Sequence, residues 1–198
     1  MVEWKNAVFR VFSGWKTVLL GIIISIVPVL NFATYGFGLN CARKPYDKRA
    51  PAWSRFGSLW VEGLLAIIII LLYLLPAIIL LLWGLLAEEF ALWQMISIGI
   101  LGVIAYYFLP MAWLEFANNG FGAAFKFSKI VKLCFHGKYF GAWLLLFILV
   151  TCIGLVLNLL ALLLAITVVL PVILGGFAAF WLTVFSFTVY GQLYEELR

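Results

Sequence analysis

Charge is scarce in this chain and histidine is nearly absent. Of 198 residues only 11% are Asp, Glu, Lys or Arg, against about 25% in a soluble globular domain, so a water-facing surface cannot be built from them. His136 is the single histidine, which excludes two-histidine metal sites and intramembrane proteases that need several His and Glu ligands. The three cysteines, Cys41, Cys134 and Cys152, lie far apart without CxxC or Cys/His spacing. They read as buried or interfacial thiols, not as disulfide partners or metal ligands. There is no GxSxG word and no phosphate-cradling glycine loop. Gly36, Gly38, Gly120 and Gly122 fall at expected helix ends, where a bend or a close backbone approach explains them. We therefore expect a protein that is not an enzyme and carries no cofactor and no metal.

Apolar residues are what the chain has. They make up 67% of it, with a mean hydropathy of +1.18, which places it among integral membrane proteins. Its length can supply at most about seven segments of roughly 20 residues, so one membrane domain over residues 1–198 is expected. The first apolar run has no A-x-A cleavage pattern and is not read as a removable signal peptide. The formal charge of +5 is better explained by the sidedness of membrane loops than by a nucleic-acid partner.

The expected fold is all-α. Residues 1–16 form an amphipathic segment with Trp4, Val8, Val11 and Trp15 on one face and Lys5, Arg10 and Lys16 off it. The run from Thr17 to Ala42 is broken by Pro28 and Asn31 into two pieces too short to cross a hydrocarbon core of about 30 Å. It is either a hairpin that enters and leaves on one side or one kinked span. A second amphipathic segment carries Trp53, Phe56 and Trp60, opposite Arg55, Ser58 and Glu62. Two full spans follow, Gly63 to Ala87 and Ala91 to Ala117, separated by Glu88 and Glu89. A third amphipathic segment sets Phe127, Ile130, Val131 and Cys134 against Lys126, Lys129 and Lys132. The stretch from Tyr139 to Tyr194 is long enough for two spans, with a turn near Ala165 to Thr167. The expectation is thus four full transmembrane helices, a proline-broken N-terminal hairpin and three amphipathic interfacial helices, the alternative being five spans.

Basic residues in short loops collect on the cytoplasmic side. With the hairpin, all thirteen Lys and Arg fall on one side, together with both termini. With a full first span, Lys5, Arg10 and Lys16 cross over. An internal repeat bears on the same choice: Asn31-Phe-Ala-Thr-Tyr-Gly-Phe-Gly38 and Glu115-Phe-Ala-Asn-Asn-Gly-Phe-Gly122 share the word Phe-Ala-x-x-Gly-Phe-Gly. Each is followed by basic residues, an amphipathic segment and an apolar run, so a same-orientation duplication over residues 17–87 and 91–164 is expected, with 165–198 as last span and C-terminus. The full span before the second copy favours five spans; the charge partition favours the hairpin, and we weigh it higher.

The stretches Ile26-Val-Pro-Val-Leu-Asn-Phe32, Pro51-Ala-Trp-Ser-Arg-Phe-Gly-Ser-Leu-Trp-Val-Glu-Gly63, Tyr73-Leu-Leu-Pro76, Ala124-Phe-Lys-Phe127 and Tyr190-Gly-Gln-Leu-Tyr194 together resemble a prokaryotic integral-membrane family known only as a domain of unknown function, DUF4013. The resemblance runs over nearly the whole chain. It implies a prokaryotic cytoplasmic-membrane protein and brings no activity, catalytic residue or ligand with it.

Two sets of residues remain as candidates. Asn31, Gln94, Glu115 and Asn158 are polar groups inside apolar runs, where an unpaired group costs free energy. They serve either as an intramembrane polar path or as packing: Asn31 beside carbonyls freed by Pro28, Glu115 facing Lys126 or Lys129, Asn158 joining two helices. Lys44, Lys48, Arg49, Lys126, Lys129 and Lys132 would contact anionic lipid headgroups, each contributing about 1 kcal/mol near a charged leaflet. The expected role is a membrane scaffold or accessory subunit that contacts lipid and other membrane proteins, with a homo-oligomer or membrane-protein partner. The alternative is a small oligomeric channel, lipid scramblase or transporter, since such proteins use broken helices and internal repeats.

Overall fold

A computed structural model describes residues 2–87, 89–163, 167 and 169–198. Among the described residues eight helices follow one another: α1 (Trp4–Phe9), α2 (Trp15–Ile26), α3 (Phe32–Arg43), α4 (Phe56–Leu86), α5 (Leu92–Asn119), α6 (Phe127–Cys134), α7 (Gly137–Leu163) and α8 (Val169–Leu197). Short 3-10 turns, Arg10–Ser13 and Phe121–Phe125, follow α1 and α5. Four of the helices, α4, α5, α7 and α8, are long and apolar enough to cross a membrane; a fifth apolar unit, Trp4–Ser13 with Trp15–Ile26, is bent by 89°. Glu88 and residues 164–166, where the acidic turn and the turn between the last two spans are expected, lie outside the described residues, apart from Glu89 and Thr167.

The N-terminal segment is a hairpin laid along α8. Going out, Trp4 packs on Phe185 and Phe12 on Phe177, and a Cβ at Gly176 would press on Ile26. Coming back, Phe37 packs on Phe180, Gly38 lies against Phe187, and Gly191 lies against the carbonyl of Ala42. Both ends of the hairpin are fixed by one side chain, because Gln192 accepts the Glu3 N–H at 2.7 Å and donates to the Pro45 carbonyl at 3.1 Å. From Gln192 to Gly176 is 16 residues, about 24 Å along a helix, which is less than a hydrocarbon thickness of about 30 Å. Residues 3 and 45 therefore share one end of the molecule.

Proline makes the turn, and a tryptophan stabilises it. Pro28 has no N–H to continue α2, which ends at Ile26. In the turn Asn31 N–H reaches the Val27 carbonyl at 2.8 Å, and the Trp60 indole donates to Val29 O at 2.8 Å. The second amphipathic segment is not a separate helix, because the chain turns through left-handed Arg55 (φ 64°) and runs from Phe56 into α4 without a break. Its indoles point inward: Trp53 donates to Thr17 O at 3.1 Å and stacks on Phe37, centroids 4.4 Å apart.

The two copies of the repeated word differ in local structure. The first lies inside α3. The second ends α5 at Asn119, breaks at Gly120 (φ 87°), a backbone state that suits glycine, and continues as a 3-10 turn. Tyr73 of α4 holds that turn by donating to the Ala124 carbonyl at 2.7 Å.

Packing is concentrated at one end. The C-terminal parts of α5 and α8 are buried from Leu109 to Met111 and from Phe187 to Tyr194, whereas Leu71, Leu82, Leu86, Ile96, Leu159 and Leu170 are exposed. The tightest approach is α3 on α4: a Cβ at Gly63 would stand 1.6 Å from Phe32 O, and one at Gly36 1.9 Å from Leu59 O. Nothing but backbone is there to give way. Gly63→Val and Gly36→Val should each destabilise the protein by about 3 kcal/mol or more, while Gly57→Ala, with nothing within 4 Å, should be neutral or slightly stabilising; thermal unfolding in detergent measures all three.

Candidate functional site

Arg10 is the most deeply buried charged side chain of the N-terminal segment, 1% exposed, although its place in the sequence suggested a basic residue lying off the apolar face. Its guanidinium donates to Cys41 O at 2.9 Å, Lys44 O at 2.8 Å, Arg49 O at 3.3 Å and the Thr188 hydroxyl at 3.3 Å. Cys41 and Lys44 belong to the end of α3, the negative end of the helix dipole, where their carbonyls also accept the N–H groups of Lys44 and Asp47 at 3.3 Å. A planar fork with five N–H groups can serve acceptors on three sides at once.

Arg43 repeats the arrangement one helix further on. Its Nε donates to Ala117 O at 2.8 Å, near the end of α5, and Nη1 pairs with Glu62 Oε2 of α4 at 2.8 Å. Two arginines counted in the sequence as loop charges thus cap helix C-termini and tie α3 to its neighbours. No short motif announces either; the only signal is an arginine set one or two turns from a predicted helix end.

Among the described residues the one fully buried carboxylate is Glu115, on α5 two residues before Ala117. Its Oε1 accepts the Tyr194 hydroxyl at 2.8 Å and meets Lys129 Nζ at 2.6 Å. Its Oε2 accepts from Asn119 at 2.9 Å. Lys129 Nζ also sits 6.0 Å from the Tyr194 ring centroid. The bond to Glu115 raises the Lys129 pKa above its ordinary value. The cluster joins α5, α6 and α8, and every oxygen of the carboxylate is bonded.

The four polar candidates are not gathered at one place. Glu115 faces Lys129, one of the two lysines expected. Gln94 stands 21 residues away on α5, about 31 Å, where its Oε1 accepts the Ala91 N–H at 2.9 Å and caps the helix. Asn31 occupies the N-cap position of α3 but makes no capping bond with its side chain, since its backbone is helical (φ −58°, ψ −23°) and not the extended form a cap requires. Asn158 does not join two helices: exposed on α7, its amide donates to its own helix at Gly154 O, 2.8 Å. Of the six cations expected at headgroups, Lys44, Lys48, Arg49, Lys126 and Lys132 are exposed, and Lys129 is half-buried in its ion pair. All three cysteines are free, with Cys41 and Cys134 buried and Cys152 exposed. Burial pushes the Cys134 thiol up to about 12, so it is an unreactive thiol at neutral pH.

The two arginine junctions generate one prediction and the ion pair another. Arg10→Met removes the guanidinium bonds to Cys41 O, Lys44 O, Arg49 O and the Thr188 hydroxyl, the first two carbonyls keeping one backbone N–H each, and should cost about 1–3 kcal/mol. Arg10→Lys should fall between that variant and the native protein, because a point ammonium cannot span four acceptors. Lys129 gains its proton more readily folded than unfolded, so its contribution is complete below about pH 10 and is lost as pH rises through the higher folded value. The difference in stability between the native protein and Lys129→Met should therefore shrink above about pH 10.5, the ordinary lysine value; paired unfolding curves at pH 8 and pH 11 measure it.

The family described as a protein of unknown function, DUF4013, matches residues 19–162. No curated protein and no solved structure matches the chain.

Proposed function

We propose that this chain, which belongs to the DUF4013 family, is a non-enzymatic multi-pass membrane protein that serves as a scaffold or accessory subunit contacting lipid and other membrane proteins. One observation carries the reading: the buried polar side chains Arg10, Glu115, Thr188 and Gln192 are hydrogen-bonded at one end, while long apolar stretches of α4, α5, α7 and α8 stand exposed. Such surface is stable only against acyl chains or against apolar helices of another protein. A homo-oligomer or a heterologous membrane subunit would cover part of it and lipid the remainder.

The membrane is the cytoplasmic membrane of a prokaryote, with both termini inside. Support comes from the charge: Lys5, Lys44, Lys48, Lys138 and Arg198 belong to segments that meet at the C-terminal end of α8, and the positive-inside rule places such an end in the cytoplasm.

A second reading, a small oligomeric channel, lipid scramblase or transporter, rests on a cleft of about 190 Å³ between α5, α7 and α8, where Tyr106, Ser186 and Tyr190 bring hydroxyls among apolar walls. Reconstituted vesicles separate the two. The scaffold reading expects no dye, ion or lipid flux above empty vesicles, and flux that Ser186→Phe abolishes would replace it by the second.

Sidedness has its own test. Single cysteines at Asn6 and Asp47 in a cysteine-free background should both resist an impermeant thiol reagent added to intact cells and both react after lysis. Because Asn6 bonds to the Tyr46 carbonyl at 3.3 Å, labelling of only one of them would contradict the hairpin.

A further inference from the structure

An open groove of about 640 Å³ runs between α5 and the α6–α7 turn. Val103, Tyr107 and Phe108 form one wall and Phe135, Phe140 and Trp143 the other. The volume is that of a site for a sizeable organic ligand. The lining is apolar because the one hydroxyl that could face it is engaged: Tyr107 donates to Cys134 O at 2.6 Å. Val103, Phe135 and Phe140 are exposed, Phe135 to 77%.

Basic residues flank the groove at one end. Next to the lining residues Phe135 and Gly137 come Lys132, one turn earlier on α6, and His136, while Lys138 faces Trp4 and Glu196 elsewhere, and the chain has no Asp or Glu between Glu115 and Glu195. Lys129 is held by Glu115 at 2.6 Å, and Lys138 stands 3.8 Å from Glu196. Lys132 has no acidic partner among the described residues. His136 Nδ1 faces the Lys138 N–H at 3.4 Å, which leaves its Nε2 as the protonated nitrogen, free to donate outward. The turn also opens α7, whose dipole favours negative charge there, the N–H groups of Lys138, Tyr139 and Phe140 being taken by His136.

An apolar trough flanked at one end by basic residues has the two-part shape of an amphiphile. We infer that the groove between α5 and the α6–α7 turn binds one anionic phospholipid of the surrounding bilayer, an acyl chain lying along Val103, Phe108 and Phe140 and the phosphate held by Lys132 and His136. This deepens the proposed membrane reading and rests on it. A second copy of the chain is a poorer occupant, since a two-fold mate would set the same lysines against each other.

Lipid titration of the purified full chain in detergent, read by native mass spectrometry, tests this with phosphatidylglycerol, phosphatidylcholine of the same acyl chains, and glycerol phosphate. One phosphatidylglycerol should bind about fivefold or more tighter than phosphatidylcholine, the effect of about one cation near a phosphate, and glycerol phosphate should not bind. Lys132→Gln with His136→Gln, both at exposed positions, should erase the preference while leaving the chain folded. Val103→Trp should fill the trough and weaken both lipids alike. Equal binding of the two lipids by the native protein, or a preference that survives the double change, overturns the site. Glycerol phosphate bound as well as the lipid overturns the acyl-chain half, and a lipid-free dimer that Val103→Trp dissociates gives the groove to a second copy. If the chain stays with membranes through alkaline extraction but shows no selective lipid, only this inference fails; recovery in the soluble fraction would instead remove the membrane reading beneath it.

Discussion

The guanidinium of Arg10 bonded to the carbonyls that end α3 is the contact on which the rest of the packed end depends. It faces Cys41 O and Lys44 O on one side and the Thr188 hydroxyl of α8 on another, so the outgoing strand of the hairpin, its return and the last helix are fixed by one planar group. Without it, Cys41 O and Lys44 O would each keep a backbone N–H, from Lys44 and Asp47, and would lose the charged donor that ties the end of α3 to the outgoing arm of the hairpin. Arg43 then extends the same chemistry from α3 to α5 and α4. Because Arg43 is the last residue of α3, its placement follows from the cap that Arg10 provides.

The close approaches of α3 obey a second constraint. Gly36 and Gly63 let two backbones touch where any side chain would collide with a carbonyl, as small residues do in membrane helix pairs. Aromatic rings fill the space around them, with Phe37 between Trp53 and Phe180. Rings and glycines together give a dense region, while the far parts of the long helices keep bare leucine and isoleucine surface. One end is held by directional bonds and the other is left to its surroundings.

Much of this was legible in the sequence. Continuous Leu and Ile over 63–87 and 91–117 read as spans, and Pro28 with two short apolar pieces around it left a hairpin and a kinked span open, the charge partition favouring the hairpin that the contacts along α8 display. Glu115 was expected to face Lys126 or Lys129, and Lys129 is the one it meets. What stayed hidden has a common cause: hydropathy and charge counts treat a residue by its type and not by its partner. Arg10 looked like a basic residue off the apolar face of the first amphipathic segment, Trp53 and Trp60 like the apolar face of the second, and Gln192 carried no assigned role, because each is defined by a backbone group far away in sequence. Asn31 misled in the opposite way, its cap position being visible but its backbone angle not.

Gln192 has a consequence in time. Its amide joins Glu3 and Pro45, and Pro45 lies 147 residues before it. A ribosome adding about 5–20 residues per second delivers that glutamine roughly 7–30 s after the hairpin has left the exit tunnel. For that interval the first helices have neither Thr188 nor Gln192 to bind, and they must wait at the bilayer surface or in the keeping of another protein. The order of synthesis thus runs against the order of closure, and α8 locks helices that were made well before it.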